Sequence, residues 1–143
     1  MRLAGPLLSL QFNNYSGAAK VALSGISAAF TARAGYMYKV TLKTGNWDGT
    51  VGTGTDVIKA RFTVTGTNLT SPDPVIVEAQ FFATGDGSSY TGDLLLTGLT
   101  ADTVYTLGID VQCMLPSASA ITFAQLTNSD LQVWVTELET LNY

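Results

Sequence analysis

The ionisable residues of this chain support only a narrow range of chemistry. Histidine is absent, which removes Ser-His-Asp and Cys-His catalytic groups and the common zinc sites. The single cysteine, Cys113, excludes a disulfide within the chain and a four-cysteine metal cluster. It stands beside Met114 and Leu115 without a basic neighbour, which is typical of a buried, inert thiol. An enzyme built on this sequence would have to work with carboxylates, lysine or tyrosine alone.

The eleven carboxylates are the remaining candidates for catalysis. Glycoside hydrolysis needs two of them facing each other, roughly 5–9.5 Å apart. Most of the aspartates stand beside Gly, Pro or Ser, where an Asp side chain bonds its own backbone in a turn. Glu78 and Asp110 lie in strand-like segments, where burial and an outward-facing position explain them equally well, whereas Asp86 with Asp93 is a weak alternative as a cation site. We therefore predict a non-enzymatic protein with no catalytic residues, no metal site and no cofactor.

The charge balance excludes two further classes of partner. Seven basic and eleven acidic residues give a net charge of −4, so no basic surface is available to neutralise phosphates and we predict no nucleic-acid binding. Pro6 and Gln11 interrupt the apolar N-terminal segment long before the ~20 residues that a membrane span needs, so we predict no membrane insertion.

Aromatic residues are the stronger candidates for binding. Trp47 lies between Asn46 and Asp48 in a segment expected to be a turn. Three roles remain open for Trp47: packing over its own loop, anchoring an interface, or stacking on a sugar. Tyr90 is a second loop aromatic that suits a ligand contact.

Trp134 and the C-terminal residues are candidates for contacts between subunits. Trp134 alternates with Gln132 and Thr136, which places it on the polar face of its strand. Either both faces of that strand are covered, as in an oligomer, or a bulge breaks the alternation; we favour the subunit contact. Leu141 and Tyr143 make the last residues apolar enough to dock on a neighbour, so residues 1–16 and 138–143 are expected to be inter-subunit arms.

These candidates must be positioned by strands, because period-2 alternation of β-branched and aromatic residues recurs along the chain. The clearest case is 36–43, where Tyr38, Val40 and Leu42 alternate with polar positions, and 75–82 is apolar enough to predict a central strand. The Ala-rich segment 17–30 is the one helical alternative, which its glycines and β-branched residues disfavour. Turn residues separate the strands, including Asp48-Gly49. We predict an all-β sandwich of about eight to ten antiparallel strands.

Length and composition agree with one domain whose surface is partly covered. The 143 residues suit a single domain, predicted here as 1–143. Only 13% of the residues are charged, against about 25% in an ordinary soluble domain, and 46% are hydrophobic. A weakly charged, apolar surface favours self-association. We therefore expect partner chains to cover part of it.

Three stretches of sequence resemble two known families. Residues 99–107, LTADTVYTL, resemble the tyrosine corner of fibronectin type III domains, which implies an immunoglobulin-like sandwich as the alternative fold. Residues 26–40, ISAAFTARAGYMYKV, and 129–138, SDLQVWVTEL, are similar to the early and final strands of C1q/TNF-like jelly rolls. The second resemblance implies a jelly-roll sandwich that trimerises through apolar and aromatic faces.

The jelly-roll resemblance also carries an expectation about function. Domains of this type occur in bacteriophage head fibres, capsid decoration proteins and tail-fibre tips, whose Thr- and Gly-rich texture this chain shares. The resemblance implies a homotrimeric decoration or head-fibre protein on the virion surface, made in the host cytoplasm and bound to the major capsid protein or another virion protein. The alternative is a glycan- or receptor-binding module at a fibre tip that uses Trp47 and Tyr90.

Overall fold

The fold was analysed in a computed structural model of the chain. The structure describes residues 2–6, 14–16, 20–23, 28–45, 47–50, 57–69, 74–82, 89–115, 122–125 and 131–140. Every regular element in these ranges is a strand, including two in the Ala-rich segment for which a helix was the alternative. None of the described residues belongs to a helix long and apolar enough to cross a membrane.

Twelve strands are described, more than the eight to ten predicted, because several connections contain short strands of their own. In chain order they are β1 (Arg2–Pro6), β2 (Asn14–Ser16), β3 (Val21–Ala22), β4 (Ala28–Thr31), β5 (Tyr36–Lys43), β6 (Trp47–Thr50), β7 (Val57–Gly66), β8 (Val75–Phe82), β9 (Thr91–Leu96), β10 (Val104–Leu115), β11 (Thr122–Gln125) and β12 (Gln132–Glu139).

Two antiparallel sheets form the sandwich. The first sheet has the order β1-β12-β5-β9, and the second has the order β3-β10-β7-β8 with β4 also paired to β10. The pairs β1–β12, β4–β10, β5–β9 and β7–β8 are nested, from the ends of the chain to its middle. Such nesting is a long hairpin rolled into two sheets, which is the jelly roll. The immunoglobulin-like alternative is wrong, because that fold pairs its strands in a different order.

The connections divide between the two ends of the sandwich, since successive strands run in opposite directions. Three connections lie at one end, which we call the short-turn end; their described residues are 32–35, 67–69 with 74, and 97–103. The opposite end carries β2, β6 and β11, which pair as a third small sheet of order β2-β11-β6. We call it the elaborated end.

The core lies between the two large sheets and follows the alternation seen in the sequence. The inward side chains of β5 and β12 are buried, as predicted, while most of the outward ones are partly exposed. In the second sheet, Phe62 and Val64 of β7 pack beside Leu107, Ile109 and Val111 of β10. Each large sheet therefore keeps one face for the core and leaves the other outward.

Two expectations about elements are wrong. Residues 75–82 form β8, which lies at the edge of its sheet rather than at the centre, because β9 of the other sheet packs against it there. Gly92 of β9 approaches Ile76 so closely that a Cβ at position 92 would lie 2.3 Å from the Ile76 carbonyl oxygen. Asp48-Gly49 is not a turn but part of β6, because it pairs with Phe123 and Ala124 of β11.

Candidate functional site

The outward face of the first sheet is the strongest candidate for a contact surface, and we call it the outer face. Register places its side chains in rows across β12, β5 and β9, such as Trp134, Thr41 and Asp93. The outer face mixes apolar groups with lysines and hydroxyls, and most of its members are only half exposed: Thr91, Asp93 and Leu95 from β9, Met37, Lys39, Thr41 and Lys43 from β5, and Gln132, Trp134, Thr136 and Leu138 from β12.

Trp134 stands within the outer face, on the polar side of its strand as the alternation predicted. No bulge breaks the pairing of β12 with β5, because the register runs without a shift from Gln132 to Glu139. The Lys43 ammonium lies 5.5 Å from the centroid of the Trp134 ring, and Thr41 Oγ1 donates a 2.6 Å hydrogen bond to Asp93 Oδ1 beside it. Trp134 therefore faces outward where β12 pairs with β5 without a shift, while the pairing of β1 with β12 shifts between Leu3 and Gly5 beside it. Both alternatives for Trp134, a subunit contact and a bulge, stay open.

A buried carboxylate joins the last strand to the short-turn end. Glu137 is 6% exposed and faces the core. It accepts hydrogen bonds from Arg33 Nη1 at 2.7 Å and from the Tyr38 hydroxyl at 3.1 Å, while the Arg33 backbone N–H donates to the Tyr38 hydroxyl. The Glu137 carboxylate raises the pKa of Arg33, and burial raises the pKa of Tyr38. Because every group has a partner, this cluster is a clasp for the fold.

A second ion-pair cluster lies on the outward face of the second sheet. Glu78 is exposed and accepts from Arg61 Nη2 at 3.0 Å and from Lys59 Nζ at 3.3 Å. These hydrogen bonds hold the pKa of Glu78 below its usual value. Of the two positions that the sequence left open for Glu78, the structure shows the outward one.

The two loop aromatics lie at the elaborated end. Trp47 begins β6, where it pairs with Gln125 of β11; its side chain lies outside what the structure describes. Tyr90 is half buried, and its hydroxyl donates to the Gln80 carbonyl oxygen of β8. Its backbone exchanges hydrogen bonds of 2.9 Å with Thr44, which follows β5. Tyr90 thus ties the two sheets together at this end.

A groove of about 470 Å³ opens at the short-turn end, and the described residues that line it are all uncharged. Its walls are Leu69 and Pro74 from one tight connection and residues 94–100 from β9 and the next connection, with Tyr105 at its base. The predicted tyrosine-corner bond is present here, because the Thr100 N–H donates to the Tyr105 hydroxyl at 2.9 Å. The three exposed large hydrophobic side chains among the described residues, Val75, Leu95 and Val104, all belong to segments that border this groove.

The two chain ends are described only in part. Residues 2–6 form β1 and pair with β12 of the same chain, and residues 14–16 form β2. At the other end Leu138 and Glu139 complete β12, and Thr140 hydrogen-bonds to the Gly35 carbonyl oxygen through both its N–H and its hydroxyl. Leu141 and Tyr143 lie outside the described residues.

Three of the described carboxylates are held by neighbouring side chains. Glu137 accepts from Arg33, Glu78 from Arg61 and Asp93 from Thr41. Within the described part of the chain, no group of three or more Cys, Asp or Glu could hold a metal ion.

Two parts of this site have no clear signal in the sequence. Arg33 and Glu137 are 104 residues apart, and strand register alone brings them together. The groove forms where two connections meet, and the sequence does not show which connections do so. Its one sign in the sequence is Leu94-Leu95-Leu96, which makes both faces of β9 apolar.

Comparisons with known proteins give limited similarity. No protein-family model and no curated protein matches the chain. Among solved structures, a structure of infectious bursal disease virus, Gt strain, matches at 13% identity with a TM-score of 0.48, covering 99% of this chain and 34% of that chain. A structure of the Gx strain matches at 13% identity with a TM-score of 0.42, covering 99% and 32%. The chain therefore spans about a third of the length of these structures.

Proposed function

We propose that this chain is a non-enzymatic structural protein of a virion, which acts by burying its outer face against other chains. More specifically, we propose a homotrimeric capsid decoration, cement or head-fibre protein of a bacteriophage, bound to the major capsid protein or another virion protein. The trimer and the phage setting rest on the resemblance to C1q/TNF-like jelly rolls given above.

The outer face carries this proposal. A jelly roll alone in water needs only its inward faces to be apolar, yet Trp134, Met37 and Leu138 stand outward on adjacent strands. Lys39, Lys43 and Asp93 lie on the same face, so an interface between copies has to pair these charges.

The outer face supplies part of an interface between copies. Its strands β12, β5 and β9 have eight, eight and six residues, which at ~3.3 Å per residue and ~4.8 Å between strands cover about 350 Å². A contact over this face alone buries roughly 700 Å² in total, so an interface of the ~1,000 Å² that specific association needs must extend beyond it. The low overall charge supports the proposed contact between chains, because a surface that partner chains cover needs fewer charged residues to stay soluble.

The capsid role is tested by co-sedimentation of the purified protein with emptied or expanded capsids of the source virus. We expect saturable binding that the Trp134→Glu variant reduces at least tenfold, while Thr106→Glu on the outward side of the second sheet leaves it unchanged. Failure of the wild-type protein to bind these capsids would contradict the decoration role.

A second candidate function is a glycan- or receptor-binding module at a fibre tip. The observation that favours it is that Trp47 and Tyr90 lie at the same, elaborated end. A glycan array comparing the wild type with Trp47→Ala separates the two functions. Binding that is lost in Trp47→Ala supports the module, and an array with no binding at all leaves the decoration role.

A further inference from the structure

We propose that the outward face of the second sheet binds an uncharged saccharide. The site is a group of polar side chains on three adjacent strands, which we call the polar patch: Glu78 from β8, Lys59, Arg61 and Thr63 from β7, and Asp110 and Gln112 from β10. The polar patch and the outer face lie on opposite sides of the sandwich, so a contact between chains at the outer face does not cover the patch. The proposal therefore does not depend on that contact.

Strand register brings the six side chains of the polar patch together. Arg61 pairs with Glu78 on one side and with Gln112 on the other, and Thr63 pairs with Asp110. The three patch residues of β7 are two positions apart, so they share the outward face, while the residues between them belong to the core. At ~4.8 Å between strands and ~3.3 Å per residue, the patch measures about 10 by 13 Å, which is an area that a disaccharide covers.

Thr63 is the residue of the polar patch that most needs a ligand. It is 3% exposed although it points away from the core. Among the described side chains, the two buried polar atoms that have no hydrogen-bond partner are Thr63 Oγ1 and Arg61 Nε, and both belong to the polar patch. A buried polar atom without a partner lowers stability, and native structures contain few of them. A ligand that supplies their hydrogen bonds explains why two such atoms stand together on one face.

The surroundings of Thr63 can open to admit a ligand. The Arg61 side chain lies next to Thr63 on the same face and is 35% exposed, so it can turn towards a ligand and uncover the hydroxyl. On the other side of Thr63, β8 carries a bulge, because its pairing with β7 passes from Val77 to Val75 and skips Ile76. Bulges re-aim side chains and are frequent next to active sites. Strand pairing is thus irregular directly beside the buried hydroxyl.

The charges of the polar patch favour an uncharged ligand that is rich in hydroxyl groups. Glu78 Oε1 accepts a 3.0 Å hydrogen bond from Arg61 Nη2 and lies 3.3 Å from Lys59 Nζ. An anionic ligand would have to displace this carboxylate from its two cations, and a cationic ligand would be repelled by them. A hydroxyl group both donates and accepts hydrogen bonds, so neighbouring hydroxyls of a sugar can bond to the carboxylate and to a cation without breaking the ion pairs.

Thr63→Val tests this proposal, because it removes the hydroxyl and nearly keeps the shape of the side chain. On an array of neutral glucose-, galactose- and mannose-containing oligosaccharides together with sialylated ones, we expect the wild type to bind neutral members. In calorimetric titration with the best-bound neutral oligosaccharide, Thr63→Val should bind roughly fivefold or more weakly, as the loss of one hydrogen bond predicts. Without ligand, Thr63→Val should unfold at a higher temperature than the wild type, because it lacks the unpartnered hydroxyl. Thr106→Val, the same change at an exposed position of the second sheet, should alter neither the affinity nor the unfolding temperature.

Each other outcome contradicts the proposal in a recognisable way. An array without binding, or equal affinities of Thr63→Val and the wild type, overturns the saccharide site, and binding of sialylated glycans alone overturns the uncharged ligand. A lower unfolding temperature of Thr63→Val means that the hydroxyl already has a partner, which removes the basis of the proposal. Binding that is lost in Trp47→Ala but kept in Thr63→Val assigns the glycan to the elaborated end instead. None of these results bears on the outer face, whose contact is tested separately by sedimentation.

Discussion

At the scale of single residues, the most informative group is the Glu137 clasp. A carboxylate that is 6% exposed is costly unless it is paired, and here Arg33 and Tyr38 both donate to it. Since Glu137 belongs to the last strand and Arg33 to a tight connection, the clasp holds β12 in the register that aligns the outer face. The side chains of the clasp therefore lie on the inward side of the first sheet, opposite to the outer face whose alignment they maintain.

Removing the Tyr38 hydroxyl measures the strength of this clasp. Tyr38→Phe deletes the donor to Glu137 and the acceptor for the Arg33 N–H in a buried site, so we expect the free energy of unfolding to fall by about 1–3 kcal/mol. Tyr36→Phe is the matched control, because its hydroxyl meets Arg33 only at 3.5 Å in an exposed position and its ring keeps the contact with the guanidinium. Equal urea unfolding curves for the two variants would refute the clasp.

The ion pairs of Glu78 should make the stability of the protein depend on pH. Its pKa is lower in the folded state than the ordinary 4.5, because Arg61 and Lys59 donate hydrogen bonds to the carboxylate. This stabilisation is present above the ordinary pKa and is lost as the pH falls through the folded value. We expect Glu78→Gln to unfold at a lower temperature than the wild type at pH 7, and the gap to close towards about pH 2.5. A gap that stays constant in acid would show that charge plays no part.

Single residues show where reasoning from the sequence succeeds and where it stops. The outward position of Trp134 and the inward positions of Tyr38 and Val40 follow from period-2 alternation, which is a local property of the chain. The partners of Glu137 could not be predicted, because no local pattern connects residues 104 positions apart.

At the scale of elements, strand existence was predictable and strand position was not. Residues 75–82 are an almost continuous apolar run, which suggested a central strand, yet β8 is an edge strand. The close approach of β9 buries Ile76 and Val77 from the other sheet, and this supplies the cover that a second neighbouring strand would have given. The hydrophobicity of a segment indicates that it is buried. It does not distinguish an edge strand that the other sheet covers from a strand at the centre of a sheet.

Gly92 is the element-level test of that closed edge. In Gly92→Ala the new Cβ would meet the Ile76 carbonyl, a backbone group that cannot swing aside, so β8 and β9 must separate. We expect the free energy of unfolding to fall by about 1–3 kcal/mol. Thr91→Ala on the same strand is exposed and serves as the control. If Gly92→Ala is as stable as Thr91→Ala in chemical denaturation, the two strands are not in contact as described.

At the scale of the whole molecule, the nested strand pairing defines the fold, and the low charge favours contact with other chains. The alternation that identifies each strand is nearly the same in all of them, so it cannot tell which strands pair, and the jelly roll was accessible only through resemblance. Both ionic clusters stabilise the subunit itself, whereas Lys39, Lys43 and Asp93 lie among apolar and uncharged groups on the outer face.

The mass of the protein in solution tests most directly the claim that the outer face is a contact between copies. In sedimentation velocity at micromolar concentrations, we expect the wild type and Thr106→Glu to sediment as trimers of the 15.1 kDa chain. Trp134→Glu, and Thr41→Arg at the centre of the face, should sediment as monomers with the same β-sheet circular dichroism as the wild type. A wild-type monomer at tens of micromolar, or trimers that survive both changes, would contradict this account.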